Sequence, residues 1–224
     1  MMYTTRDIKG LFIDMYNYGI FRENGTLELQ GVSFLADQPT IFGKANEEYI
    51  LAEIAWYLTN DRKVQRLFDI YGKTVKIWDD VKNDIGEVNS NYGWCIYSKH
   101  RGNQYYKVLE TLKKDPTSRQ AIMIYQHPDM HDIAGKDFTC TNAVQYFINR
   151  DTINGDRLDA VVQMRSNDIV YGYNNDYAWQ KYVLDRLACD LSVKPGLITW
   201  QVGSLHMYER HYHLIEEENE KEMV

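Results

Sequence analysis

The sequence predicts an α+β fold around one large twisted sheet, mainly antiparallel or mixed, with flanking helices, and three observations predict it. Four runs rich in Val, Ile, Tyr, Phe and Thr fall in the second half of the chain: RQAIMIYQ, FTCTNAVQYFI, LDAVVQMRS and GLITWQVGSLHMY. The middle two are joined only by the turn-rich segment NRDTINGDR, and strands so closely joined pair antiparallel. Helical periodicity marks three further windows.

The first helix is expected over residues 46–60, NEEYILAEIAWYLTN. Asn46 caps it, and Glu47 and Glu48 occupy the first turn, where the helix dipole favours acids. A second helix over 103–114 carries Tyr106, Leu109 and Leu112 at helical spacing. A third, over 175–191, places Leu184, Leu187, Ala188 and Leu191 on one stripe. The acidic tail EEENEKEMV reads as a solvated end. There is no internal repeat, and the length suits one domain spanning 1–224.

A hydrophobic fraction of 44% with only 4 prolines belongs to a chain that packs a core. Its net charge of −7 argues against binding long nucleic acid through phosphates, so a nucleic-acid-related partner is expected to be a small nucleotide. The cysteines, Cys95, Cys140 and Cys189, show no paired spacing, and an odd, sparse count without C-x-x-C argues against a disulfide framework or a structural zinc site. No apolar run approaches a membrane span, and the N-terminus lacks a signal-peptide core; a reducing cytoplasm is the expected setting.

Several residues could carry chemistry. Glu53 shares a helix face with Tyr49, Ile50, Trp56 and Tyr57, surroundings that disfavour a charged carboxylate and suit a general acid/base; a Glu at the stripe margin reaching water fits the same pattern. Cys140 lies within a strand-like run but is flanked by Thr139, Thr141 and Asn142, so its walls offer hydrogen bonds. Cys95 and Cys189 read as buried structural thiols. Arg165 is the cation that could activate Cys140, and with Ser166 it forms a phosphate-gripping pair at a strand end. His206 and Tyr208, two apart, point to one face and could hold a sugar hydroxyl or pack half-buried. Asp176 near the third helix start could read an exocyclic amine or simply cap the helix. The remaining histidines make no metal-ligand pattern, and neither a phosphate-binding P-loop nor a dinucleotide fingerprint occurs.

Taken in order, these segments resemble a known family. AEIAWYL is similar to the glutamate-bearing helix of thymidylate synthases, and IWDDVKNDIGEVNSNYG to the segment lining their folate pocket. DPTSRQAIMIY resembles their phosphate-arginine segment, DFTCTNAVQYF the nucleophile strand, MRSNDIVYGYNNDYAWQKY the phosphate-and-base segment, and GSLHMYERHYHL the sugar-binding segment. The match runs over residues 26–215. It implies a thymidylate synthase fold, a homodimer of back-to-back sheets, and one catalytic domain.

The resemblance assigns Cys140 as nucleophile, Glu53 as general acid/base and Asp176 as base reader. Arg165 and Ser166 would hold the phosphate, joined by Arg119 from the other subunit, and Asn167 would be a further substrate-binding residue. His206 and Tyr208 would bind the sugar 3′-hydroxyl, and Trp78 and Asp168 would face the co-substrate, 5,10-methylenetetrahydrofolate; no metal is implied. Asp176 stands where thymidylate synthases carry Asn. Thr141 replaces their His and Met164 their Gln, which favours a branch that hydroxymethylates dCMP. Uracil nucleotides, CMP and a silent nucleotide-binding role are the alternatives. Gln120 replaces a second phosphate arginine. The chain also runs only briefly past residue 215, without the segment that closes over folate in thymidylate synthases, which is expected to leave the site open to water.

Overall fold

The computed structural model of the chain describes residues 2–131 and 135–222. Among these, the strands are β1 (Tyr3–Thr4), β2 (Leu27–Leu35), β3 (Ile122–Ile124), β4 (Thr141–Asn149), β5 (Arg157–Asp168) and β6 (Lys194–Met207). They form one mixed sheet in the order β1-β2-β6-β5-β4-β3. The helices are α1 (Thr5–Asn17), α2 (Glu47–Leu58), α3 (Val64–Tyr71), α4 (Lys76–Val81), α5 (Tyr92–Tyr97), α6 (Gln104–Lys114), α7 (Gly172–Leu191) and α8 (His213–Glu222). None of the described helices is long and apolar enough to cross a membrane.

The short link between β4 and β5 makes them antiparallel, whereas β5 and β6 are parallel because α7 returns the chain across the sheet between them. Register separates the two faces. Met123, Val144, Val162, Trp200 and Phe34 occupy directly paired positions and are all 0% exposed. The Tyr173 ring of α7 meets Trp200 edge-on, and Val183, Leu184, Leu187 and Ala188 of the same helix are buried in the same core. The neighbouring row, Ile122, Gln145, Val161 and Thr199, faces the other way and is only partly covered.

The helix expected over 46–60 is α2, and the Asn46 side chain accepts from the Tyr49 N–H as its cap. In α6 the buried residues are Tyr105, Val108, Leu109 and Leu112; Tyr106 lies off this face and is exposed. The run RQAIMIYQ shortens to β3, because the N–H groups of Tyr125 and Gln126 both turn to the Asn142 carbonyl beside a β4 irregularity. Cys140 therefore stands just before β4, not within a strand.

Three expectations are corrected. The acidic tail is not merely a solvated end: most of it forms α8, which docks on α1 through Lys9–Glu218 at 2.7 Å and a Tyr16 hydroxyl bond to Glu216. Cys189 is exposed, on the outer side of α7, while Cys95 is fully buried. Asp176 does not cap α7, which begins at Gly172; it sits in the second turn with its carboxyl directed elsewhere.

Candidate active site

The elements that converge on a cavity of about 640 Å³ include α2, α4, α7, the C-terminal ends of β5 and β6, and the entry to β4. It brings together Glu53, Trp78, Cys140, Arg165, Ser166, Asn167, Asp168, Asp176, His206 and Tyr208, residues up to 155 positions apart in sequence; the sheet register aligns Asp168 of β5 with His206 of β6. Arg119 is not among the lining residues; it is exposed ahead of β3, where its carbonyl accepts from Gln145.

Cys140 and Arg165 are joined first by backbone, the Arg165 N–H donating to the Cys140 carbonyl at 2.9 Å. The guanidinium donates to the carbonyls of Phe138 (2.6 Å) and Thr139 (3.1 Å), lies over the Phe138 ring, and reaches the Cys140 sulfur at 3.5 Å. Burial pushes the Cys140 thiol up to about 11, against the opposing pull of Arg165. Cys140 thus rests as a thiol beside a cation that favours its ionised form.

Glu53 is 5% exposed, which excludes the solvent-reaching alternative. Its Oε1 accepts from the Tyr49 hydroxyl at 2.5 Å and from the Trp78 indole at 3.2 Å. Burial raises the carboxyl to about 7, although Tyr49, Trp78 and Tyr57 each favour the ionised form. At neutral pH such a group can both give and take a proton.

Asp176 lies across the pocket. Its Oδ2 accepts from the Asn167 side-chain amide at 2.8 Å, and the buried Asn167 oxygen accepts from the Trp200 indole at 3.2 Å. An indole can only donate, so Trp200 fixes Asn167 with its oxygen inward and its NH₂ towards Asp176. Although the residue is only half-buried, its carboxyl lies deep in the pocket. Burial and then the nearby Glu53 charge raise it well above the usual carboxylate range.

Asp168 accepts from the Val170 and Tyr171 N–H groups and so forms the turn that launches α7. The rings of His206 and Tyr208 meet edge-on, 4.9 Å apart, at the same end of β6.

Sequence reasoning gave no individual role to Tyr49, Tyr92 or Arg210. Tyr92 is buried with its hydroxyl beside Asp176, Thr141 and Cys140. It is held there because Gly93 packs on the Tyr57 carbonyl, so closely that an added Cβ would lie 1.8 Å from that oxygen. The Tyr-Gly dipeptide was a usable signal for this approach. Arg210, which lies over the Tyr208 ring, gave none.

The thymidylate synthase family model matches residues 40–224. The deoxycytidylate 5-hydroxymethyltransferases of Enterobacteria phages T4 and T2 are each 49% identical to the chain over 202 residues, covering 85% of it and 79% of each relative. The thymidylate synthase of Buchnera aphidicola subsp. Acyrthosiphon pisum (strain APS) is 26% identical over 201 residues, covering 85% of the chain and 72% of the relative. The fold is similar to that of the thermostable thymidylate synthase A from Bacillus subtilis, with a TM-score of 0.73 at 22% identity, over 95% of this chain and 83% of that one.

Proposed function

The chain belongs to the thymidylate synthase family, and from that premise we propose that it is a deoxycytidylate 5-hydroxymethyltransferase. It would convert dCMP, 5,10-methylenetetrahydrofolate and water to 5-hydroxymethyl-dCMP and tetrahydrofolate. The observation that carries this reading is Asp176, a carboxyl that burial pushes towards its uncharged form and that is bonded by an amide which Trp200 keeps in one orientation.

A neutral carboxylic acid offers one donor and one acceptor, and cytosine requires both: an acceptor for its exocyclic amine and a donor for ring N3. The Asn167 N–H directed at Oδ2 keeps the acid proton on Oδ1. We place the exocyclic amine at Oδ2 and N3 at Oδ1. Uracil presents the reverse pattern there, leaving buried polar groups unpaired at about 1–3 kcal/mol each.

Cys140 adds to carbon 6 of the base, forming a C–S bond and giving carbon 5 the nucleophilicity that an aromatic pyrimidine lacks; carbon 5 then exchanges its proton for the one-carbon unit, and after water has added the C–S bond breaks, restoring the 5,6 double bond and the Cys140 thiolate. Arg165 favours the thiolate needed for that addition, and with Ser166 it binds the phosphate. Glu53 takes the proton of the water that adds to the new one-carbon substituent, and its value near 7 suits it to return that proton. His206 and Tyr208 hold the sugar 3′-hydroxyl.

The apolar wall of Ile77, Trp78, Val81 and Tyr171 fits a flat aromatic ring, so Trp78 with Asp168 would hold the folate. When bound, the folate supplies the one-carbon unit. We further propose a back-to-back homodimer in which Arg119 reaches the partner's phosphate. Its exposure outside its own pocket supports this, as does the outward sheet face carrying Ile122, Ile124 and Leu197, each 37–47% exposed. The setting we propose is the cytoplasm of an infected bacterium, since the 49%-identical relatives are phage enzymes.

Incubation with dCMP and methylenetetrahydrofolate in ¹⁸O-labelled water tests the reaction. Hydroxymethyl-dCMP carrying ¹⁸O is expected; a methylated product, or none, would overturn the assignment.

A further inference from the structure

We propose that Tyr49 is a positioning residue that decides which oxygen of Glu53 exchanges protons: its phenol, oriented by Trp78, donates to Oε1 and leaves Oε2 as the working oxygen. The inference depends on the proposed reaction only for its catalytic consequence.

The argument is one of donor counting. The Trp78 indole is a donor with no acceptor capacity, and it lies 2.7 Å from the Tyr49 oxygen. That oxygen must therefore accept from Trp78, and its single proton points away from the indole. The acceptor it meets is Glu53 Oε1 at 2.5 Å, which also lies 3.2 Å from the same indole nitrogen. Two donors thus converge on Oε1, and both favour its lone pairs over a proton there. The geometry is enforced from two elements. Tyr49 stands one turn before Glu53 on α2, so the side chains meet at the four-residue spacing, and Trp78 enters from α4.

The titratable groups facing the carboxyl are Tyr49 and Tyr57 from its own helix and Asp176 from α7. Tyr57 and Asp176 remain when Tyr49 is altered, so an effect of Tyr49 can be read separately. Its hydroxyl counters the burial that pushes Glu53 upwards. A phenylalanine there keeps the ring and withdraws the donor.

The test follows the Glu53 carboxyl by ¹³C NMR in glutamate-labelled protein without substrates, assigned by difference against Glu53→Gln. The Tyr49→Phe protein is expected to titrate about one pH unit higher than wild type, the change typical of losing one charged hydrogen bond. The acid limb of kcat/KM should move with it. Site-specific 3,5-difluorotyrosine at position 49, a stronger donor of nearly the same shape, is expected to move both downwards. These opposite signs could not arise from a packing defect. A folded Tyr49→Phe protein with an unmoved Glu53 midpoint would overturn the proposal, as would a difluorotyrosine protein shifted upwards. A Tyr49-dependent titration in a protein that makes no hydroxymethylated product would uphold the positioning role and count against the reaction.

Discussion

Burial acts on Glu53, Asp176 and Cys140 in one direction, favouring the protonated, uncharged form of each. For Glu53 this has a consequence for stability. The folded state binds its proton up to about pH 7, whereas the unfolded chain releases it near the ordinary value of 4.5. A raised acid contributes fully at low pH and loses that contribution as pH rises through this window. Glu53→Gln should therefore gain stability relative to wild type between pH 5 and 8, by at most about 3 kcal/mol, as read by urea denaturation across pH. A flat difference would show that the carboxyl is not raised. At Cys140, alkylation by iodoacetamide should rise with pH towards about 11. Arg165→Gln should delay that rise, because the guanidinium favours the thiolate. The exposed Cys189 should react first, so the measurement needs site-resolved mass spectrometry.

At the scale of elements, the sequence reveals those whose pattern is local. The cap of α2, the stripe of α7 and the β4–β5 hairpin all lie within short windows. β2 could not be read in that way. Its partner is β6, some 170 residues on, and Gly31 with φ +62° interrupts its alternation. α4 and α5 are only six residues long, under two turns, so they carry too little periodicity to find. The site divides along the same line. Residue types and their order pointed to Cys140, Glu53, Arg165 and Asp176, and the structure brings them into one pocket. The donor to Glu53 and the amide lock on Asp176 arise from side chains of separate elements, which no window of sequence contains. Gly93 is the element-level contact most open to test. Gly93→Ala should cost about 3 kcal/mol, the upper range for overpacking, and displace Tyr92 from the pocket. A variant with wild-type denaturation and activity would show that α5 has room to shift.

At the scale of the molecule, one face of the sheet is closed by helices and the other leaves Ile122, Ile124 and Leu197 partly exposed. If that face joins two copies, Arg119→Ala and Cys140→Ala proteins, each nearly inactive, should regain activity when unfolded and refolded together. A heterodimer then contains one site with both an intact Cys140 and a partner's intact Arg119. No recovery would place Arg119 outside the phosphate site. The central claim, that a neutral Asp176 reads cytosine, is tested most directly by product mass spectrometry with methylenetetrahydrofolate and equimolar dCMP and dUMP, for wild type and Asp176→Asn. Wild type should convert dCMP almost exclusively, and the Asn protein should lose at least about tenfold of that preference, since each mismatched polar pair costs about 1–3 kcal/mol. Equal use of dCMP and dUMP by wild type, or an unchanged preference in Asp176→Asn, would contradict it.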